Sequence, residues 1–247
     1  MNPRVVRTAA ALVIGNELLT GKVLDANVHA LAGSLRALGI LLSRVVMLPD
    51  DVGILADEVR RLSADFDVVF TSGGVGPTHD DVTVEAVARA FGVEVVLDPT
   101  LSDLLRKVYG ERISEAHLLM ARVPLGATLC GSPEVEWPTP VMNNVWILPG
   151  IPDLFKLKLL TARAWLRGPT SFVTRALFLR LEEPLLKPLL DAVVARHPQV
   201  EIGSYPKWFD PSYRTQITFD AESAQAAQAA LDDLRSLLAP SDVVRAE

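Results

Sequence analysis

The chain has 247 residues, of which 49% are hydrophobic and 22% charged, which is typical of a globular protein and predicts one main domain with a smaller one. Its formal net charge is −6 with Lys and Arg scattered along the chain, which excludes nucleic acid as the main partner but allows a small phosphorylated ligand. No apolar run approaches the ~18 residues of a membrane span, so we expect no membrane partner. Because a signal-peptide pattern is missing and Cys130 is the single cysteine, we expect a cytoplasmic protein.

The first two-thirds of the chain alternates strand-like and helix-like patterns, which predicts βαβ units and a mostly parallel sheet with helices on both faces. The predicted strands are residues 8–14, 41–48, 67–70, 93–97 and 144–148. The first helix is predicted to have Asp25 as its N-cap and Gly39 just past its end, and the second begins after Asp50 and Asp51. Four residues of the second helix are predicted to face the core: Ile54, Leu55, Val59 and Leu62. Later helices are predicted at 84–91, at 101–109 and after Pro152.

A loop rich in glycine and aspartate, residues 71–83, follows the third predicted strand directly. Gly73, Gly74 and Gly76 let the backbone turn its N–H groups towards an anion, and the next helix adds its positive N-terminus. Asp80 and Asp81 would repel a bare phosphate, which indicates a divalent cation between them and the phosphate. The alternative is a purely structural loop, in which Asp81 caps the helix and the glycines serve a tight turn.

Two other turns follow predicted strands at the same edge of the sheet, where ligands bind in open α/β proteins. The turn after the first strand is not a P-loop, because five residues separate its glycines and Val23 stands in place of the metal-binding Ser or Thr. Each turn could also be structural. The candidate contacts at these turns are Gly15, Asn16, Glu17, Asp25, Asn27, Pro149 and Gly150.

Residues 167–170 read as a linker, which predicts a domain of residues 1–168 and a second of residues 169–247. The second domain is predicted to have the order strand, helix, strand, strand, helix, strand. This βαββαβ order is typical of a small α+β domain with a ferredoxin-like fold, and a KH-like arrangement is the alternative.

The motifs in these segments resemble those of a known family. They are residues 15–19 with Asp25 and Asn27, residues 73–83, and residues 148–152. They are similar to the molybdopterin-binding (MoaB/Mog-like) fold, in the branch typified by the N-terminal domain of the competence/damage-inducible protein CinA. Residues 141–154 and 203–208 further resemble the molybdopterin-binding-like domain of eukaryotic FAD synthases, whose adenylyl-transferring half has no counterpart here. The resemblance implies an α/β fold with a three-layer α/β/α domain.

The resemblance also implies metal-assisted hydrolysis of a nucleotide pyrophosphate such as ADP-ribose or FAD, with release of AMP. It implies that Asp81 and Asp80 hold the metal and that Glu17 assists them. The implied ion is Mg²⁺, Mn²⁺ or Co²⁺, K⁺ is an additional candidate, and the protein is expected to form a homo-oligomer, a dimer or a trimer. The implied substrate contacts are Gly15, Asn16, Asp25, Asn27, Ser72, Gly73, Gly74, Gly76, Pro77, Thr78, Thr83, Pro149 and Gly150.

Two other hypotheses use the same pocket. The protein could bind or adenylylate molybdopterin, as the Mog branch of the family implies. It could instead be a nucleotide-binding regulator without catalytic activity, because Asn16 stands where the family usually has an aspartate. The segment Gly-Thr-Ala-Pro-Gly of CinA is also missing before Pro149, so we expect a different pocket floor.

Overall fold

In the computed structural model, which describes residues 3–209 and 211–247, the chain divides into the units Met1–Pro169 and Thr170–Glu247. The strands of the first unit are β1 (Arg4–Val5), β2 (Thr8–Ile14), β3 (Leu41–Leu48), β4 (Val68–Ser72), β5 (Val95–Leu97), β6 (Arg122–Pro124), β7 (Thr128–Ser132), β8 (Val135–Met142), β9 (Val145–Trp146) and β10 (Leu166–Arg167). Its helices are α1 (Asn16–Leu19), α2 (Asn27–Ala37), α3 (Val52–Asp65), α4 (Thr83–Phe91), α5 (Pro99–Tyr109), α6 (Glu115–Leu119) and α7 (Pro152–Trp165). Among the helices of the described residues, none has both the length and the apolar character that crossing a bilayer requires.

The central sheet of the first unit has six strands in the order β3-β2-β4-β9-β8-β7. Strands β3, β2, β4 and β9 are parallel to one another, and β8 and β7 extend the sheet with antiparallel pairing. The prediction of a mostly parallel sheet is therefore confirmed. The strand predicted at 93–97 is shorter and lies outside this sheet, since β5 pairs antiparallel with β6 in a separate ribbon.

Helices cover both faces of the central sheet, so the first unit is a three-layer α/β/α structure. The buried residues of one face include Ala9 and Ala11 of β2, Leu31 and Leu35 of α2, and Phe155 and Leu159 of α7. Those of the other face include Ala10 and Leu12 of β2, Leu55 and Val59 of α3, and Val87 of α4. Because β2 is buried on both faces, its sequence is a continuous apolar run instead of an alternating one.

The predicted N-cap of α3 agrees with the structure, whereas the predicted N-cap of α2 is displaced by one residue. Asp51 caps α3 by accepting a hydrogen bond from the N–H of Ile54 (2.9 Å). The N-cap position of α2 is Ala26, and Asp25 before it accepts a hydrogen bond from the N–H of Val28 (3.0 Å). The side chain of Ile54 is 48% exposed, so its prediction as a core residue was wrong. The buried stripe of α3 runs through Leu55, Val59 and Leu62, and Ile54 lies about 100° away from Leu55 around the helix.

A hairpin between β8 and β9 was not predicted from the sequence. Its turn is Asn143 and Asn144, and Asn143 has a positive φ of 54°. The side chain of Asn144 donates to the carbonyl oxygens of Ser63 (3.0 Å) and Phe66 (2.9 Å), which fixes the turn against the end of α3. The hairpin reverses the chain so that β9 lies parallel to β4.

The second unit contains β11 (Val173–Leu179), α8 (Glu183–Arg196), β12 (Glu201–Pro206), β13 (Thr215–Ala221), α9 (Ala224–Ser236) and β14 (Val243–Ala246). Its strands form one sheet in the order β12-β13-β11-β14, and each neighbouring pair is antiparallel. Residues of α8 and α9 share one core cluster with β11 and β13. With β13 between β11 and β12, this is the split βαβ order of a ferredoxin-like domain, which decides between the two predicted arrangements.

We predict that alanine substitutions at two adjacent positions of α3 differ strongly in cost. Leu55→Ala removes a fully buried side chain and should lower the free energy of unfolding by about 2–5 kcal/mol. Ile54→Ala, at a half-exposed position, should lower it by less than about 1 kcal/mol. Urea unfolding followed by circular dichroism measures both, and equal losses would contradict the burial of this helix.

Candidate functional site

Loops leave the carboxyl ends of the parallel strands β2, β3, β4 and β9 at one edge of the central sheet. After β2, the N–H of Gly15 donates to the carbonyl oxygen of Leu48 at the end of β3 (3.3 Å). After β4, the N–H of Gly73 donates to the carbonyl oxygen of Leu148, which follows β9 (3.3 Å). These bonds hold the strand ends together at the edge where α/β proteins bind ligands.

The loop after β4 can approach the neighbouring strand end because Gly73 has no side chain. Gly73 has a φ of 108°, and a Cβ there would lie 2.3 Å from the carbonyl oxygen of Ile14. Gly74 has a φ of 65°, and its Cβ would lie 2.4 Å from the hydroxyl of Thr83. Thr83 is buried, and its hydroxyl donates to the carbonyl oxygen of Gly73 (2.7 Å). The buried side chain of Thr83 therefore fixes the backbone conformation of Gly73 and Gly74.

The two adjacent carboxylates have different surroundings. Asp81 is half-buried, and its Oδ2 accepts hydrogen bonds from the N–H (2.7 Å) and the hydroxyl (2.5 Å) of Thr78. It does not cap α4, whose N-cap position is Val82. Asp80 is exposed, and hydrogen bonding by the Thr78 hydroxyl, whose single proton can serve Asp80 only in place of Asp81, and by its own backbone N–H lowers the pKa of its carboxyl. At neutral pH Asp80 is therefore an anion.

Asn27 connects three of the segments at this sheet edge. Its side chain is buried, and its amide nitrogen donates to the hydroxyl of Ser72 (2.9 Å) and to the carbonyl oxygen of Gly150 (2.7 Å). The side-chain oxygen Oδ1 is buried and has no hydrogen-bond partner in the described part of the chain. An unpaired buried acceptor carries a desolvation cost, which the two hydrogen bonds donated by the amide nitrogen offset in part.

These loops form one side of a cavity of about 920 Å³, a volume within the range of small-molecule sites. We call this side the polar wall; it consists of Gly15, Glu17, Asp25, Asn27, Asp50, Ser72, Gly73, Gly74, Gly76, Pro77, Asp80, Asp81, Pro149 and Gly150. We call the other side the apolar wall; it includes Leu105, Tyr109, Met120, Trp137, Leu154 and Leu157.

The predicted site residues lie in the polar wall with three exceptions. Asn16 uses its backbone N–H to bind Asp50 Oδ2 (2.9 Å), and its side chain is exposed outside the wall. Thr78 and Thr83 hold Asp81 and the glycine backbone instead of lining the cavity. Thirteen of the sixteen predicted site residues thus line the cavity, Thr78 and Thr83 lie behind the polar wall, and Asn16 is exposed outside it.

The sequence-based prediction missed several residues of the cavity, among them Asp50, Lys158 and the whole apolar wall. Asp50 follows β3 at the same sheet edge as the other loops, and this position was the signal that could have identified it. Lys158 is only 8% exposed, and the signal for it is a charge in the buried stripe of α7, between Phe155 and Leu159. Its Nζ donates to the carbonyl oxygens of Trp137 and Pro138 (3.2 Å to the latter), and burial lowers its pKa to about 8.

The donor set fits a cation that keeps part of its coordination shell for substrate and water. Within residues 3–209 and 211–247, His, Cys, Asp and Glu side chains do not form a group of three that could hold a metal ion. Asp80 and Asp81 offer two carboxylates beside the glycine backbone. Mg²⁺ is commonly bound by one or two carboxylates together with substrate phosphates and water, so these residues suit such an ion.

Residues 10–161 match the sequence family described as "Probable molybdopterin binding domain". The chain belongs to this family. Residues 171–247 match the family described as "FAD synthase, middle domain".

Relatives support the same assignment. The chain is 30% identical to a "Probable FAD synthase" from Caenorhabditis elegans, over 94% of this chain and 50% of that protein. It is 33% identical to a "CinA-like protein" from Myxococcus xanthus, over 89% of this chain and 56% of that protein. The chain therefore spans about half the length of these two relatives. A crystal structure of CinA from Thermoplasma acidophilum, whose function is described as unknown, superposes with a TM-score of 0.57 at 29% identity, covering 64% of this chain and 96% of that one.

We predict that Gly73→Ala disrupts the site through its backbone. A methyl group at this position meets the Ile14 carbonyl and demands an unfavourable φ, so the free energy of unfolding should fall by at least about 2 kcal/mol. Gly33→Ala in α2, where a Cβ meets no atom within 4 Å, is the matched control and should raise stability by about 0.5 kcal/mol. Chemical denaturation of both variants checks this, and a neutral effect of Gly73→Ala would refute the close approach.

We also predict that Lys158 makes stability depend on pH above neutrality. Burial lowers its pKa from the ordinary 10.5 to about 8 in the folded chain, so the unfolded chain binds more protons between these two values. The stability of the wild type should therefore rise through this window relative to Lys158→Met, by up to about 3 kcal/mol. Urea denaturation of both proteins from pH 7 to pH 10.5 measures the difference, and parallel pH curves would show that burial does not depress this pKa.

Proposed function

We propose that this chain is a metal-dependent nucleotide pyrophosphatase that hydrolyses substrates of the ADP-ribose or FAD type and releases AMP. The observation that carries the proposal is the juxtaposition of a glycine backbone with the carboxylates of Asp80 and Asp81 in one cavity wall. Backbone N–H groups of a glycine loop alone would suit any phosphate, and carboxylates alone would suit a cation. Their combination favours a ligand that contains both phosphate and metal.

The glycine loop is the proposed site of the two phosphates. The strand-end loops bring Gly73, Gly74 and Gly76 to the cavity surface, and α4 begins immediately after the loop. The N–H of Gly73 already donates to the carbonyl oxygen of Leu148, so the N–H groups of Gly74 and Gly76 are the proposed phosphate donors. Backbone N–H groups and the positive helix end together bind phosphate oxygens without a basic side chain. Arg122 and Lys158 line the same cavity outside the polar wall.

Asp80 and Asp81 are the proposed metal ligands. A divalent cation bound there would neutralise charge on the phosphates and lower the pKa of a water molecule. Thr78 orients Asp81 through two hydrogen bonds, which limits the rotation of that carboxylate. Glu17 lies in the same wall and is the proposed acceptor for the proton of the attacking water.

The test is an assay for AMP with purified protein, ADP-ribose or FAD, and Mg²⁺, Mn²⁺ or Co²⁺, with and without K⁺. We expect AMP release that EDTA abolishes, and at least about a 100-fold lower kcat for Asp81→Asn. Asp57→Asn is the matched control, because Asp57 is an exposed aspartate of α3 that pairs with Arg60 outside the cavity. Absence of AMP with every metal would contradict the proposed hydrolysis.

The description of the matching family supports a second candidate, binding or adenylylation of molybdopterin. Incubation of the protein with ATP and the pterin would then give an adenylylated product and pyrophosphate.

The third candidate, a regulator without turnover, was motivated by Asn16. The Asn16 side chain lies outside the polar wall. The presence of asparagine instead of the family's aspartate at this position therefore removes no side chain from that wall. Tight nucleotide binding without turnover, unchanged in Asp81→Asn, would still favour the regulator.

A further inference from the structure

Two carboxylates of the polar wall lie against the backbone of a glycine in the same wall. A Cβ on Gly15 would lie 2.5 Å from Oε1 of Glu17, and a Cβ on Gly76 would lie 2.6 Å from Oδ2 of Asp81. Non-bonded carbon atoms pack at about 3.5–4.0 Å, so a side chain on the glycine and the carboxylate could not share this space. Each carboxylate therefore occupies the place of a side chain that its glycine lacks.

Gly76 gives the clearer case, because its backbone conformation does not require glycine. Gly73 and Gly74 have φ values of 108° and 65°, whereas Gly76 does not have a positive φ. Gly76 precedes Pro77, which favours an extended conformation that alanine adopts without strain. The three atoms nearest to a Cβ on Gly76 all belong to the carboxyl group of Asp81. The group that excludes a side chain at position 76 is therefore this carboxylate.

Thr78 holds the same carboxylate by a hydrogen bond. Its backbone N–H donates to Oδ2 of Asp81 (2.7 Å), the oxygen that lies beside Gly76. The carboxylate is thus confined between a glycine backbone and an N–H donor two residues further along the chain. A methyl group on Gly76 would push the carboxylate away from this donor and change its orientation.

This arrangement belongs to the wall that contains the proposed metal ligands. Gly76, Asp80 and Asp81 all line the cavity, and Asp81 is the less exposed of the two aspartates. Contacts outside the coordination sphere orient the ligands of a metal ion, and the loss of such a contact typically weakens metal binding about 10–100-fold. The space at Gly76 and the N–H of Thr78 are contacts of this kind for Asp81.

We propose that Gly76 is a positioning residue for Asp81: the side chain that it lacks leaves the place in which the Asp81 carboxylate is held for a divalent ion. The inference rests on the proposed function for the ion and adds the reason why position 76 is a glycine. It is distinct from the proposed contact between the Gly76 N–H and phosphate, because it concerns the space beside the Cα and a side chain of this protein.

Three measurements on the full chain without substrate test this inference. Electron paramagnetic resonance follows Mn²⁺ binding, the proton chemical shift of the Thr78 N–H reports on its hydrogen bond, and the melting temperature reports on folding. Gly76→Ala should weaken Mn²⁺ binding about tenfold or more and leave the melting temperature within about 3 °C of the wild type. Its Thr78 amide proton should move towards the shift found in Asp81→Ala, which lacks the acceptor.

Gly33→Ala is the matched control, because a Cβ there meets no atom within 4 Å and Gly33 does not line the cavity. It should change neither the Mn²⁺ affinity nor the Thr78 shift. Loss of Mn²⁺ affinity in Gly76→Ala together with a clearly lower melting temperature would mean that Gly76 only maintains the loop, which would overturn the inference.

Unchanged Mn²⁺ affinity in Gly76→Ala, with weaker binding of AMP in isothermal titration calorimetry, would mean that the glycine makes room for the ligand instead. This result, an unchanged Thr78 shift in Gly76→Ala, or no Mn²⁺ binding by the wild type would each overturn the inference, whether or not the hydrolysis assay gives AMP. Mn²⁺ binding that depends on Gly76, without AMP release in that assay, would contradict the proposed function alone.

Discussion

The site depends on the close approach of three chain segments at Gly73. A Cβ on Gly73 would lie 2.3 Å from the carbonyl oxygen of Ile14, and a Cβ on Gly150 would lie 3.2 Å from the Cα of Gly73. No side chain fits between these backbones, so the carboxyl ends of β2, β4 and β9 meet as bare main chain. The N–H groups of Gly15 and Gly73 donate to the carbonyl oxygens of Leu48 and Leu148 and so hold these strand ends together.

Residues behind the polar wall fix its shape. Thr83 holds the glycine backbone, Thr78 holds Asp81, and Asn27 joins Ser72 to Gly150. These contacts leave Asp80 exposed and ionised beside the loop, and they leave the buried oxygen of Asn27 unpaired. These hydrogen bonds hold the wall in place before a ligand binds, which reduces the ordering that binding must impose.

The antiparallel extension of the sheet supplies the other half of the cavity. The turn at Asn143 and Asn144 places β8 beside β9, and β8 contributes Trp137 to the apolar wall. The carbonyl oxygens of β8 also hold the buried ammonium of Lys158. A fully parallel sheet would have no such strand at this position. The hairpin thus adds an apolar wall to the cavity at the carboxyl edge of the parallel strands.

The sequence by itself determined the local features: the bounds of β2 and β3, the cap at Asp51, the glycine loop, and the order of elements in the second unit. Each depends on residues within a few positions of one another, through hydrophobic periodicity, capping or turn chemistry. Only the tertiary structure decided which strands are neighbours, and therefore the ferredoxin-like order of the second unit and the place of β9 beside β4. The exposure of Ile54 and the burial of Lys158 beside the cavity were decided at the same level, because burial depends on packing between segments that are far apart in the chain.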